Sequence, residues 1–169
     1  ADIAIFSGGK GLRGPQASGI IVGRADLIRA CRANGGPYHS IGRPAKVGKE
    51  EFAGLLAAIE LAVSKDEAAE AQRFSNTVDS WQDELGDLPG IRVERVETSH
   101  IGQPTPRLVL HVEAPLDRDA LIARLWECDP RIAVLPYDDD AIALNPHLLE
   151  PGEAAIVTGG IREVARATT

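Results

Sequence analysis

The stretch SGGKGLRGPQASG (7–19) constrains this chain more than any other. It lies between two short apolar runs, DIAIF (2–6) and SGIIVG (18–23). Glycine and proline punctuate it, so the two runs are separate strands joined by a loop. Each run is continuously apolar and bounded by glycine, the pattern of a buried strand in the interior of an α/β sheet. A single lysine, Lys10, stands in the glycine, just after the first strand. Charge is distributed in the same sense. Residues 1–48 carry seven Lys/Arg against two Asp/Glu, and residues 49–169 carry eleven against twenty-three. Such asymmetry points to two regions with different tasks. The basic, Gly-rich region suits a small anionic ligand. The acidic remainder argues against a broad nucleic-acid surface.

Aromatic residues make up only 4% of the 169 residues, so the core must be built from Leu, Ile, Val and Ala. No run approaches the roughly 18 apolar residues of a membrane span, and no stretch has the layout of a secretory signal. Cys31 and Cys128 are far apart, a usage that suits unpaired, semi-buried thiols in a reducing, cytoplasmic setting.

Along the chain, ADLIRACRANGG reads as a helix capped by Asp26 and stopped by Gly35 and Gly36. GGPYHSIGRPAKVG (35–48) is a loop. Phe52, Leu55, Leu56, Ile59 and Val63 give the period of an amphipathic helix, with a break at Ser64–Asp66. A second helical stretch runs to about Leu85, with Trp81 in its packed face. From residue 90 the order is strand (91–97), strand (106–113), helix (116–128, capped by Asp117), strand (131–137), strand (141–145) and helix (151–167). This is a ββαββα layout, one sheet covered by helices.

Three readings compete for Lys10. A phosphate-cradling nucleotide loop requires G-x-x-x-x-G-K-[ST]. Here Gly11 follows Lys10 and Ala4 stands where the first glycine should be, so that reading fails. A Schiff-base lysine must be deprotonated to react. Partial desolvation at a strand end and a neighbouring cation, Arg13, would lower its pKa. Glycines would let a planar cofactor approach the backbone, and Ser7 could turn its hydroxyl and N–H to a phosphate. In the third reading Lys10 is a solvated loop lysine and the glycines serve turns.

The whole string resembles the cofactor-lysine segment of fold-type-I pyridoxal-phosphate enzymes. More narrowly, it is similar to the bacterial selenocysteine synthase (seryl-tRNA selenium transferase) superfamily and its sugar-acid ammonia-lyase relatives. Their pattern, roughly S-G-[DG]-K-x-x-x-G-P-Q-x-G-x-x-x-G, is met by Ser7, Gly8, Gly9, Lys10, Gly14, Pro15, Gln16, Gly19 and Gly23, with one extra residue between Gln16 and Gly19. GRPAKVGKEE (42–51) is similar to the lyase-like branch. The resemblance covers the whole chain, sharply over 1–60 and only topologically over 90–169.

The resemblance implies an α/β fold: the last strands of a large aminotransferase-like domain (1–48), then a long helix and an α+β small C-terminal domain (49–169). Lys10 would hold pyridoxal phosphate as a Schiff base and later move the substrate α-proton. Ser7 would contact the cofactor phosphate, and Arg13 and Gln16 would line the site. His39, Arg43 and Lys46 would face a small anionic amino-acid or amino-sugar-acid substrate. Arg107 is a further candidate for a substrate carboxylate; a solvated strand-edge arginine is its alternative reading. His100, His111 and His147 lack metal-ligand spacing and read as surface or satisfied histidines. The reaction implied is α,β-elimination with ammonia release, or selenium transfer through the same dehydrated intermediate. The acidic balance disfavours tRNA as substrate. In that family the cofactor's other contacts precede the lysine. The resemblance therefore implies the C-terminal portion of a longer, homo-oligomeric enzyme whose N-terminal half supplies them. The opposing expectation is a small-domain fragment without activity that self-associates through its exposed strand edge.

Overall fold

A computed structural model describes residues 1–98, 102 and 104–167. The chain divides into two compact units, Ala1–Asp66 and Glu67–Thr169. The sequence reading draws its boundary at 48/49, before the long helix; the compact units divide after it.

Unit 1 opens with β1 (Ile3–Ser7) and β2 (Gly19–Gly23), an antiparallel pair in the register Ile3 to Gly23 through Ser7 to Gly19. Both runs are strands, as their sequence indicates, but they are not buried. Ile5 is 70% exposed, and Phe6, Ile21 and Val22 are exposed as well. A continuous apolar run reports strands suited to cover on both faces. In this unit β1 and β2 pair only with each other. Helix α1 (Ala25–Asn34) follows. Asp26 lies in its first turn rather than capping it, because its carboxylate is drawn back to Arg24, whose Nη2 donates to Oδ2 at 2.8 Å. The loop 35–48 contains a short 3-10 turn, Arg43–Ala45, entered at Pro44. Helix α2 (Lys49–Ser64) closes the unit, and α3 (Glu67–Leu85) begins after the expected break.

Unit 2 is the ββαββα layout with α3 in front. Its strands β3 (Ile91–Val96), β4 (Arg107–Val112), β5 (Pro136–Asp138) and β6 (Ala141–Leu144) form one antiparallel sheet in the order β3-β4-β6-β5. Helices α4 (Arg118–Trp126) and α5 (Glu153–Arg166) complete it. On α3 the side chains at i, i+4, i+7 and i+11 (Phe74, Val78, Trp81, Leu85) are buried, the stripe a helix needs to dock. Val78, Trp81 and Leu85 meet Leu108, Leu110 and Val112 of β4, Leu121 and Leu125 of α4, and Ile161 and Val164 of α5 in one core. Fully burying each such side chain contributes about 1.5–3 kcal/mol. Trp81 satisfies its polar atom inside that core, Nε1 donating to the Ala154 carbonyl at 3.1 Å. Asp117 caps α4 as its position suggests, accepting from the Ala120 N–H at 2.8 Å.

One strand is shorter than its sequence suggests. The run RIAVLPY (131–137) yields a ladder only over Pro136–Asp138, with a register irregularity there. Ile132 is buried all the same, since core packing needs no ladder. Among the described residues, no helix is long and apolar enough to cross a membrane.

Candidate active site: the lysine loop

The chain between β1 and β2 folds back on itself through short bonds. The Gly8 N–H donates to the Ser18 carbonyl at 2.9 Å, and the Gly14 N–H to the Gly8 carbonyl at 2.8 Å. Gln16 Nε2 donates to the Gly9 carbonyl at 2.9 Å, and Ser18 Oγ to the Pro15 carbonyl at 2.6 Å. At the tip, the Arg13 N–H donates to the Lys10 carbonyl at 2.8 Å, with Arg13 in the left-handed region at φ 56°. A side-chain-bearing residue there costs about 1 kcal/mol or more, so the closed loop has to hold it in place.

Two glycines are required by this closure. A Cβ on Gly9 would lie 2.6 Å from Gln16 Cα, and one on Gly14 would lie 2.9 Å from the Gly8 carbonyl oxygen. These positions admit the chain's own backbone. From the other side α2 supports the loop: Leu55 and Ala58 lie beside Gly14, and Gly54 leaves room for the Pro15 ring.

The loop therefore presents Lys10 exposed at a braced tip, not the partly desolvated lysine expected of the sequence. Ser7 is half-buried at the end of β1, three residues earlier. Arg13 is exposed beside Lys10 in the same turn. Gln16 braces the loop under the lysine, a contact that the motif alone does not reveal.

His39, Arg43 and Lys46 all fall on the loop 35–48. Arg43 donates from Nη1 to the Pro37 carbonyl at 3.3 Å. Arg43 and Lys46 both border Gly36, where an added Cβ would meet Lys46 Cγ at 3.2 Å and Arg43 Nη1 at 3.7 Å. Two of the three basic groups are thus gathered at one bend, while His39 is exposed on the same loop. Arg107 belongs to unit 2, at the start of β4.

Two histidines of unit 2 have side-chain contacts among the described residues. His111 Nε2 lies 3.0 Å from Glu94 Oε2, and His147 meets the Phe74 ring edge-on at 5.5 Å. His100 lies outside the described residues. Cys31 and Cys128 are half-buried free thiols.

No family model matches the chain. Individual proteins do. Over 113 residues, 67% of this chain, it is 37% identical to 5'-C-glycyluridine monooxygenase-decarboxylase of a Streptomyces species, covering 27% of that protein. Over 98% of the chain it is 31% identical to D-glucosaminate-6-phosphate ammonia lyase of Salmonella typhimurium, covering 44% of it. A solved D-glucosaminate-6-phosphate ammonia-lyase structure matches 99% of this chain, and 44% of that one, with a TM-score of 0.72 at 26% identity. The cystine C-S lyase C-DES, solved with its product cysteine persulfide, shares the fold: TM-score 0.59, 21% identity, 96% of this chain and 46% of that one. The chain spans less than half the length of these proteins.

The fold and these likenesses define a class: the chain is a portion of a fold-type-I pyridoxal-phosphate enzyme. Within that class it is related to D-glucosaminate-6-phosphate ammonia lyase.

Proposed function

We propose that this chain carries the cofactor lysine and small domain of a pyridoxal-phosphate-dependent lyase that removes ammonia from an anionic amino acid or amino-sugar acid. The observation that carries the reading is Lys10 held at the tip of a loop closed by the Gly8, Gly14 and Gln16 hydrogen bonds. The donor set fits the cofactor: an accessible primary amine for an aldehyde, and a serine hydroxyl three residues earlier for a phosphate. Lys10 Nζ and Ser7 would hold the group, with Arg13 and Gln16 at the site's edge. When bound, pyridoxal phosphate supplies an electron sink for charge developing at the substrate Cα.

The chain's own residues do the rest. Lys10 Nζ would take the proton from the substrate Cα as general base. It would return that proton to the hydroxyl leaving Cβ, so that water departs on the way to an oxo acid and ammonia. Arg43, Lys46 and His39 would attract and orient the anionic substrate. The lyase activity named for the relative supports elimination over selenium transfer.

A second reading draws on the exposed Ile5, Phe6, Ile21, Val22, Phe52 and Leu56 of unit 1. Such an apolar surface favours a homo-oligomer or further polypeptide over it.

The chain has four lysines, Lys10, Lys46, Lys49 and Lys65, which makes the test direct. After incubation with pyridoxal phosphate and borohydride reduction, intact mass should show one adduct, mapped to Lys10 and lost in Lys10→Ala. Labelling spread evenly over the four lysines would remove Lys10 from its role.

A further inference from the structure

The sheet of unit 2 has two edges, and they differ. β5 is a short edge, Pro136–Asp138, with an irregular register. Short length, proline and irregularity are devices that keep an edge from pairing with another strand. β3 (Ile91–Val96) has none of them. It pairs with β4 in an unbroken register from Ile91 to Val96, and among the described residues no strand lies on its other side.

The direction of the backbone groups on that edge follows from β4. The Val112 N–H donates to the Asp140 carbonyl at 2.7 Å, on the β6 side, and the Glu113 N–H donates to the Gly90 carbonyl at 2.8 Å, on the β3 side. Backbone groups alternate along a strand, so Val109 and His111 turn theirs toward β3, where they stand opposite Glu94 and Arg92. Val93 and Arg95 therefore turn their N–H and C=O outward. The Ile91 carbonyl points the same way, while the Ile91 N–H donates to the Leu88 carbonyl at 3.2 Å. Side chains alternate as well. Val93 packs on the core and Arg95 reaches Ser75 and Asp79 of α3, which leaves Arg92 and Glu94 exposed on the opposite face. Arg92 meets Glu113 through Nε at 3.4 Å, and Glu94 meets His111 through Oε2 at 3.0 Å. The Arg92 Nη groups and Glu94 Oε1 remain for a further partner.

We propose that β3 pairs antiparallel with β3 of a second copy of this chain, about a two-fold axis at Val93. In that register Val93 exchanges both backbone bonds with its own counterpart, and the Arg95 N–H meets the Ile91 carbonyl of the second copy. Arg92 falls opposite Glu94 of the second copy, and Glu94 opposite its Arg92, so charges that would repel an arbitrary strand match here. Centring the axis on Arg92 or on Glu94 sets like charges opposite each other, so the register is specified. One short strand pair buries less than the roughly 1,200–2,000 Å² of a stable interface, and the dimer is accordingly weak and exchanging. The surface lies wholly in unit 2 and rests neither on Lys10 nor on the apolar side chains of unit 1.

Disulfide trapping reads such a dimer. The full chain is used with Cys31→Ser and Cys128→Ser, carrying Arg92→Cys in one preparation and Glu94→Cys in the other. The pairing puts these two positions directly opposite, with Cα atoms about 4.5 Å apart, within disulfide reach. Like positions lie on the diagonal, about 7–8 Å apart and beyond that reach. Under mild oxidation an equal mixture should give the mixed dimer, identified by intact mass, well above the proportion that random collision produces. Each variant alone should stay largely reduced. In the parent chain, Arg92→Glu should weaken self-association about fourfold or more in sedimentation equilibrium, because both cross-strand charge pairs become repulsive. Adding Glu94→Arg should restore it; if that double variant does not fold, the trapping ratio decides. A mixed dimer at or below the random proportion would overturn the proposal. So would self-association indifferent to Arg92→Glu, which would place the contact elsewhere on the chain.

Discussion

Replacing Gly9 by alanine tests whether the loop around Lys10 is closed in the way described. The new Cβ would lie 2.6 Å from Gln16 Cα and 2.8 Å from Gln16 Oε1. The side-chain contact could be relieved by rotation, but the backbone contact could not. The loop must open, and the Gln16 bond to the Gly9 carbonyl is strained or lost with it. Overpacking of this kind costs about 1–3 kcal/mol. Local opening is read by native-state amide exchange. The Gly8, Arg13 and Gly14 amides, which donate to Ser18, Lys10 and Gly8, should exchange about 5- to 150-fold faster. Gln16→Ala removes only the side-chain bond, worth about 0.5–1.5 kcal/mol, and should accelerate them about 2- to 12-fold. Amides of unit 2 should be unchanged in both variants. Unaltered exchange at Gly8 and Gly14 in Gly9→Ala would refute the closed loop, and with it the argument that Lys10 is positioned rather than free.

Other substitutions probe unit 2. Gly159 and Gly160 are neighbours on α5 with opposite surroundings. A Cβ on Gly159 meets nothing within 4 Å, whereas one on Gly160 lies 2.3 Å from Ile132 Cδ1. Gly159→Ala should therefore stabilise by about 0.5–1 kcal/mol and raise the melting temperature by about 2–8 °C. Gly160→Ala should give no gain or a loss, and equal stabilisation by the two in thermal melts would contradict the packing of Ile132 under α5. The Arg95 side chain donates from Nε to Glu97 at 2.6 Å, and this bond holds the Glu97 carboxyl below its ordinary pKa. A lowered carboxylate pKa stabilises the fold above the unfolded value, and the contribution is lost as pH falls through the folded one. Glu97→Gln should flatten the pH dependence of the urea midpoint between about pH 3 and 6. The difference should shrink in high salt, because Glu97 is exposed.

Much of the architecture was legible because local signals and tertiary demands agree. The stripe Phe74, Val78, Trp81, Leu85 has helical spacing and is buried at that spacing. Asp117 precedes an apolar-periodic run and caps it. Lys10, with its glycines, Pro15 and Gln16, was legible as a motif because close backbone approach restricts which residues the loop tolerates. Where pairing partners decide the outcome, the signal weakened. Asp26 had two competing bonds to make and took the one to Arg24. The apolar run 131–137 buries Ile132 but supplies a ladder over only its last residues and Asp138.

By itself, the sequence determined the order of elements, the division into a basic Gly-rich part and an acidic αβ part, and the lysine motif with the family it implies. All of these depend on residue type at short spacing. Only the tertiary structure decided that β1 and β2 form an exposed antiparallel pair, that Gln16 braces the loop under Lys10, and that Arg107 Nε is buried with no partner among the described residues. Those are facts about which groups remain without water or a partner once distant segments have packed. No local spacing records that.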